Sequence, residues 1–134
     1  MTVHLRVMVG DRDLLLDTMC VQRVAQVADV GDIGAWAGRD APVLDLTSLL
    51  GSVGPDASHR AVILYGPGDR AVVLVVDDVR GLVSLEADAF APMPEISPAF
   101  GQLFDAISVQ PIEGRHPLRL RARIEAPAGI RDGA

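Results

Sequence analysis

Adjacent carboxylates at Asp77 and Asp78 are the first residues here that could do chemistry, because a pair sharing one proton is a common device of general acid–base catalysis. Their setting argues against it. They interrupt RAVVLVVDDVRGLVSL, Arg70 to Leu85, which reads as two valine-rich β-strands, and neighbours on a strand point to opposite faces. One aspartate is expected to face outward and the other to cap the turn into Val79. Cys20 is the only thiol; Arg23, one turn on if that segment is helical, would lower its pKa, but a lone cysteine is more often an inert buried group. His4, His59 and His116 lack H-x-x-H or H-E-x-x-H spacing, so no zinc site is expected and each is read as a surface or turn histidine. GPGD, Gly66 to Asp69, has a phosphate loop's glycines without its G-K-[ST] ending or following helix, and reads as a hairpin turn. All 12 basic residues are arginine, which excludes a P-loop lysine, a Schiff-base lysine and a serine–lysine dyad. No catalytic residue, metal or cofactor is expected.

Two features suit binding instead. Arg119, Arg121 and Arg123 alternate with Leu118, Leu120, Ala122 and Ile124, placing three charges on one face of a strand. Such a row either grips an acidic surface or forms a solvated edge that blocks sheet-to-sheet association. Trp36, isolated among Gly, Ala and Asp, is either a core plug or an exposed anchor. A net charge of −6 over 134 residues argues against nucleic acid or anionic membrane as the partner. One cysteine permits no internal disulfide, and no apolar run approaches the roughly 20 residues that span a bilayer. With no leader evident, a cytoplasmic location is expected.

The positioning elements follow from periodicity. Val3, Leu5, Val7 and Val9 alternate with His4, Arg6 and Met8, predicting a half-buried strand that turns at Gly10-Asp11 and returns through Leu14 to Leu16. Met19 to Val30 fits a helical turn or an irregular strand equally. Gly31 to Asp40 reads as loop, Ala41 to Leu50 as a strand and Gly51 to His59 as loop. Ala61 to Tyr65 and Ala71 to Val76 should pair as a hairpin. Pro92, Pro94 and Pro98 keep Glu86 to Pro98 on the surface; Pro98 to Ala106 allows a short helix, and Glu113-Gly114 turns the chain into Leu118 to Ile124. Frequent strands without alternating helices predict one all-β domain over residues 1–125, a barrel or sandwich, with 126–134 as a frayed tail.

Three segments carry a family likeness. GAWAGRDAPVLDLTSLLG (Gly34 to Gly51), VVDDVRGLVSL (Val75 to Leu85) and MCVQRV (Met19 to Val24), in that spacing, resemble the CheW-like coupling proteins of bacterial chemosensory systems. The resemblance implies two SH3-like five-stranded β-barrel subdomains sharing one core, with no catalysis. It implies docking of a chemoreceptor signalling tip near Ala37, Gly38, Val79 and Val83, and of a CheA-type histidine kinase near Val21, Gln22, Arg23 and Val24. Departures from the pattern also carry meaning. Arg23 stands where the family has glutamate, Ala37 where it has arginine, and the interval from Val21 to Gly38 is about ten residues short, a loss that surface loops tolerate. The expected function is a chemosensory adaptor that binds receptor, with kinase docking weakened or lost. Its alternatives are a full receptor–kinase coupling protein in which Trp36 and the arginine row replace the missing contacts, a small ligand-binding barrel, or a thiol enzyme.

Overall fold

The computed structural model describes residues 1–38, 41–49, 60–93 and 98–124. His59, the Gly51 to His59 loop and the 126–134 tail lie outside the described residues. Ten strands occur among them: β1 (Thr2–Val9), β2 (Arg12–Asp17), β3 (Val21–Gln26), β4 (Val43–Asp45), β5 (Ala61–Tyr65), β6 (Val72–Val76), β7 (Asp78–Leu85), β8 (Phe90–Pro92), β9 (Phe104–Ser108) and β10 (Leu118–Leu120). Short helices α1 (Ile33–Ala37), α2 (Leu46–Leu49) and α3 (Pro98–Leu103) connect them. The fold is all-β. Six strands hydrogen-bond in the order β7-β1-β2-β10-β9-β8 and four in the order β3-β5-β6-β4, two sheets consistent with the two SH3-like subdomains expected, but divided six and four where five each were expected.

One core serves both sheets. Leu5, Val7, Val9, Leu14 and Leu16 of the larger sheet pack with Leu44, Ile63, Tyr65, Val72, Leu74 and Val76 of the smaller. Each fully buried aliphatic side chain contributes about 1.5–3 kcal/mol, so each sheet's inner face is stabilised by burial against the other's. The smaller sheet is covered outside as well, where Val62, Leu64, Val73 and Val75 meet Ala37, Ala41, Ile33 and Trp36. Burial on both faces explains why β5 and β6 are unbroken apolar runs, and they form the expected antiparallel hairpin.

Several elements differ from expectation. Met19 to Val30 resolves into β3 flanked by 3₁₀ turns at Thr18–Cys20 and Val27–Asp29. The Gly31 to Asp40 interval contains α1, whose first turn is capped by Asp32 accepting from Gly34 N and whose end is closed by Gly38 at φ +71°. Beyond Asp45 the expected strand becomes α2, since Asp45 Oδ1 accepts from Ser48 N at 3.4 Å and turns the backbone. Part of Glu86 to Pro98 joins the sheet as edge strand β8, with Pro92 last, where a missing N–H is tolerated. The last hairpin turns at Glu113 and Gly114, both at positive φ, but its strand β10 ends at Leu120.

Candidate functional site

The groups capable of chemistry are committed to the framework. Asp77 is buried; its Oδ2 accepts from Gly10 N at 2.5 Å while its own N–H donates to Met8 O. It therefore caps the β1–β2 turn, not the turn into Val79 as expected. Arg60, just before β5, bonds both oxygens of Asp45 at the end of β4, at 3.1 and 3.0 Å, and lies 3.9 Å from Asp77, which follows β6. Asp78 pairs with Arg80 at 3.5 Å. Cys20 is half-buried, and burial, assisted by Asp17, pushes its thiol pKa up. That reverses the expectation built on Arg23, whose guanidinium lies instead over the Trp36 ring. His4 is not at the surface: it is 1% exposed, covered by Phe90 at a centroid distance of 5.2 Å. His116 is exposed, with Nδ1 3.0 Å from Ser108 O. Among the described residues no three His, Cys, Asp or Glu side chains cluster as metal ligands.

The arginine row does not form. Arg119 lies on β10, between β2 and β9, with its Nε on Asp105 at 2.8 Å and its guanidinium 4.4 Å from the Phe90 ring centre. Arg121, past the strand end, donates to Gly101 O at 2.7 Å. A register shift between Arg119 and Leu120 breaks the alternation that a row requires. Nor is β10 an edge that needs blocking.

On β3, Gln22 Nε2 donates to Gly66 O and Gly68 O at 3.0 and 2.9 Å, and Arg23 donates to Trp36 O while stacking on its ring at 4.8 Å. Val21 is half-buried against the shared core, whereas Val24 is 46% exposed. Trp36, half-buried on the smaller sheet's outer cluster, is both plug and partial surface. Ala37 is buried in that cluster, with exposed Gly38 beside it. Val79 borders the shared core, but Val83 packs with Leu15, Leu85 and Ala89 on the opposite face of the larger sheet. A bulge parts them: Arg6 pairs with Gly81 and Val7 with Val79, leaving Arg80 unmatched. Gly81 accommodates it at φ +129°. Ala37, Val79 and Val83 thus belong to three different packing clusters and form no single patch.

A sequence model of the CheW-like domain matches residues 4–110. The chain belongs to the CheW-like domain family. The crystal structure of scaffolding protein TtCheW from Thermoanaerobacter tengcongensis is similar in fold, with a TM-score of 0.73 over 91% of this chain and 90% of that one at 14% sequence identity. No curated protein matches the sequence.

This CheW-like chain also presents an apolar margin that simple alternation of the sequence does not reveal. Leu82 stands opposite Leu5 in register, on the core-facing side of β7 that Val79 shares beyond the bulge, yet is 68% exposed. Val3, two residues from Leu5 on the same face, is 39% exposed, and its carbonyl accepts from Thr18 Oγ1, next to Met19 at 88% exposed. Val79, Cys20 and Val21 border the same core. No sequence signal points to Leu82, because simple alternation assigns Leu82 and Val83 to the wrong faces and the bulge that corrects it is visible only in the strand register.

Proposed function

We propose that this protein is a non-enzymatic chemosensory adaptor of the CheW type that holds the helical signalling tip of a cytoplasmic chemoreceptor, with kinase docking weakened or lost. Membership of the CheW-like family over residues 4–110 carries the reading. TtCheW, which shares the fold, is a scaffolding protein, and this points the same way. For the receptor, the fitting surface is the apolar margin of Val79, Leu82 and Val3, since an amphipathic helix docks by laying apolar anchors on such a strip. Ala37 and Val83, which the family likeness suggests, are turned into clusters of their own, so their part is support for neighbouring backbone.

Loss of kinase docking is supported by what β3 does internally. Gln22 and Arg23 spend their polar groups on Gly66, Gly68 and Trp36, which leaves Val24 as the exposed apolar contact on that strand. A kinase surface would have to displace those bonds before gaining new ones. The coupling-protein alternative keeps Trp36 as a partly exposed contact, but its arginines are already engaged, Arg119 with Asp105 and Arg121 with Gly101, which favours the weakened-docking reading.

Capture experiments with a receptor signalling-tip fragment and, separately, with a CheA-type regulatory domain test both halves. Leu82→Asp should abolish receptor capture while leaving the urea midpoint close to the parent's. Receptor capture unaffected by Leu82→Asp overturns the proposed surface, and kinase capture that Arg23→Ala or Trp36→Ala weakens overturns the loss of kinase docking.

A further inference from the structure

We propose that His4 is a proton-sensitive latch for edge strand β8, which leaves the larger sheet when the buried imidazole becomes a cation. His4 lies on β1 in the outer face of the sheet, 1% exposed, and among the described residues its Nδ1 has no hydrogen bond of good geometry. Its ring meets that of Phe90, the first residue of β8, at 5.2 Å and a tilt of 51°. The Phe90 ring also carries the Arg119 guanidinium, at 4.4 Å.

The charged groups around the imidazole are Asp17 on β2, its cross-strand partner, Asp105 on β9 and Arg119 on β10; β7 contributes apolar Val83 and β8 contributes Phe90. Both carboxylates are engaged: Asp105 with Arg119 at 2.8 Å, and Asp17 with the Met19 amide at 2.9 Å. A proton on the ring therefore places a cation in a site that burial disfavours, a cost that the Thr2 carbonyl and the Asp17 carboxylate offset only in part. Burial, the largest effect, holds the imidazole below its ordinary pKa; the Thr2 carbonyl and Asp17 pull the other way, and Arg119 adds less to the lowering than either of them removes, with Asp105 opposing least. Once β8 lifts away, the ring regains water and an ordinary pKa of about 6.5. Protons then favour the open form below about pH 6.5, by up to about tenfold per pH unit until the closed form also titrates.

The element to be released is weakly held. β8 has three residues, sits at the sheet edge and, among the described residues, pairs with β9 only; next to it Val109 N donates to Ala89 O at 2.7 Å. Short edge segments of this kind open at a small fraction of the global unfolding free energy.

Amide hydrogen exchange by NMR on the full chain, from about pH 7.5 down to about pH 5 and corrected for intrinsic rates, tests the latch. Protection of the Val109 amide should fall at least about twofold as pH drops, while the Gly66 amide, bonded to Cys20 O in the smaller sheet, stays constant. His4→Phe or His4→Leu should abolish the fall. A Val109 protection that is flat with pH, that declines together with Gly66, or that still declines in the His4 variants overturns the proposal. If neither variant folds, the native chain decides: a His4 ring that titrates at or above the ordinary imidazole value also overturns it.

Discussion

Arg6 and Asp13 form the most enclosed ion pair among the described residues, with the Arg6 side chain 12% exposed and that of Asp13 fully covered. Arg6 also bonds Glu113 at 2.9 Å, which more than Asp13 raises the guanidinium's hold on its proton and in turn lowers the Glu113 carboxyl below its usual range. These partners are not equivalent. Asp13→Asn leaves a largely buried guanidinium without its inner counter-charge, and a loss of about 3 kcal/mol in urea-measured stability is expected. Glu113, whose side chain is 74% exposed, interacts through solvent, so Glu113→Gln should leave the urea midpoint nearly unchanged. Cys20 supplies a second test at this scale. Its pKa is raised, so the thiolate fraction at about pH 8 is smaller than in the unfolded chain, and Ellman's reagent should react at least about threefold more slowly with the native protein than in denaturant. A faster native reaction would reopen the thiol-enzyme alternative.

At the level of elements the bulge in β7 matters most, because it places Val79 and Val83 on opposite faces and brings Leu82 to the margin of the shared core. Gly81 stands at φ +129°, a conformation that side chains resist even though no atom lies within 4 Å of where a Cβ would sit. Gly81→Ala is thus a backbone effect without a clash: it should cost about 1–3 kcal/mol, and receptor capture should fall as Leu82 is displaced. Calorimetry and the capture assay read the two consequences separately. The same element shows where sequence reasoning stops. β5 and β6 were legible because burial on both faces leaves unbroken apolar runs with turn residues between them. The bulge was not legible, since one glycine in a strand has the same composition with or without an extra residue in the ladder. His4 was misread because alternation assigns a residue to a face without saying what covers that face, and Phe90 is brought there from far along the chain. Asp77 was misread likewise, as its acceptor role is fixed by Gly10, 67 residues away. The arginine row failed because alternation continues in the sequence past Leu120 while the strand does not.

Across the whole molecule, one core is built from both sheets, and that predicts how the protein unfolds. Leu74 and Ile63 of the smaller sheet contact the same cluster as Leu14 and Val7 of the larger, so removing either inner face exposes the other. An adaptor made this way holds its two subdomains in fixed relation, which suits a surface where the sheets meet. Unfolding should accordingly be a single cooperative event, despite the division into two sheets. Trp36, the chain's one tryptophan, reports on the smaller sheet's outer cluster, and the Val109 amide reports on the far edge of the larger sheet. Above about pH 8, where His4 is neutral in both the folded and the open form, Trp36 fluorescence and far-UV circular dichroism should give one urea midpoint. Leu74→Ala, which opens a cavity in the shared core, should lower that midpoint by an amount corresponding to about 2–5 kcal/mol, equally by both probes. Leu82→Ala removes a side chain that is 68% exposed and should shift either probe by less than about 0.5 kcal/mol. Two separated transitions, or a Leu74→Ala effect confined to Trp36, would mean that the sheets fold independently and that the strip between them has no fixed shape on which a receptor helix could dock.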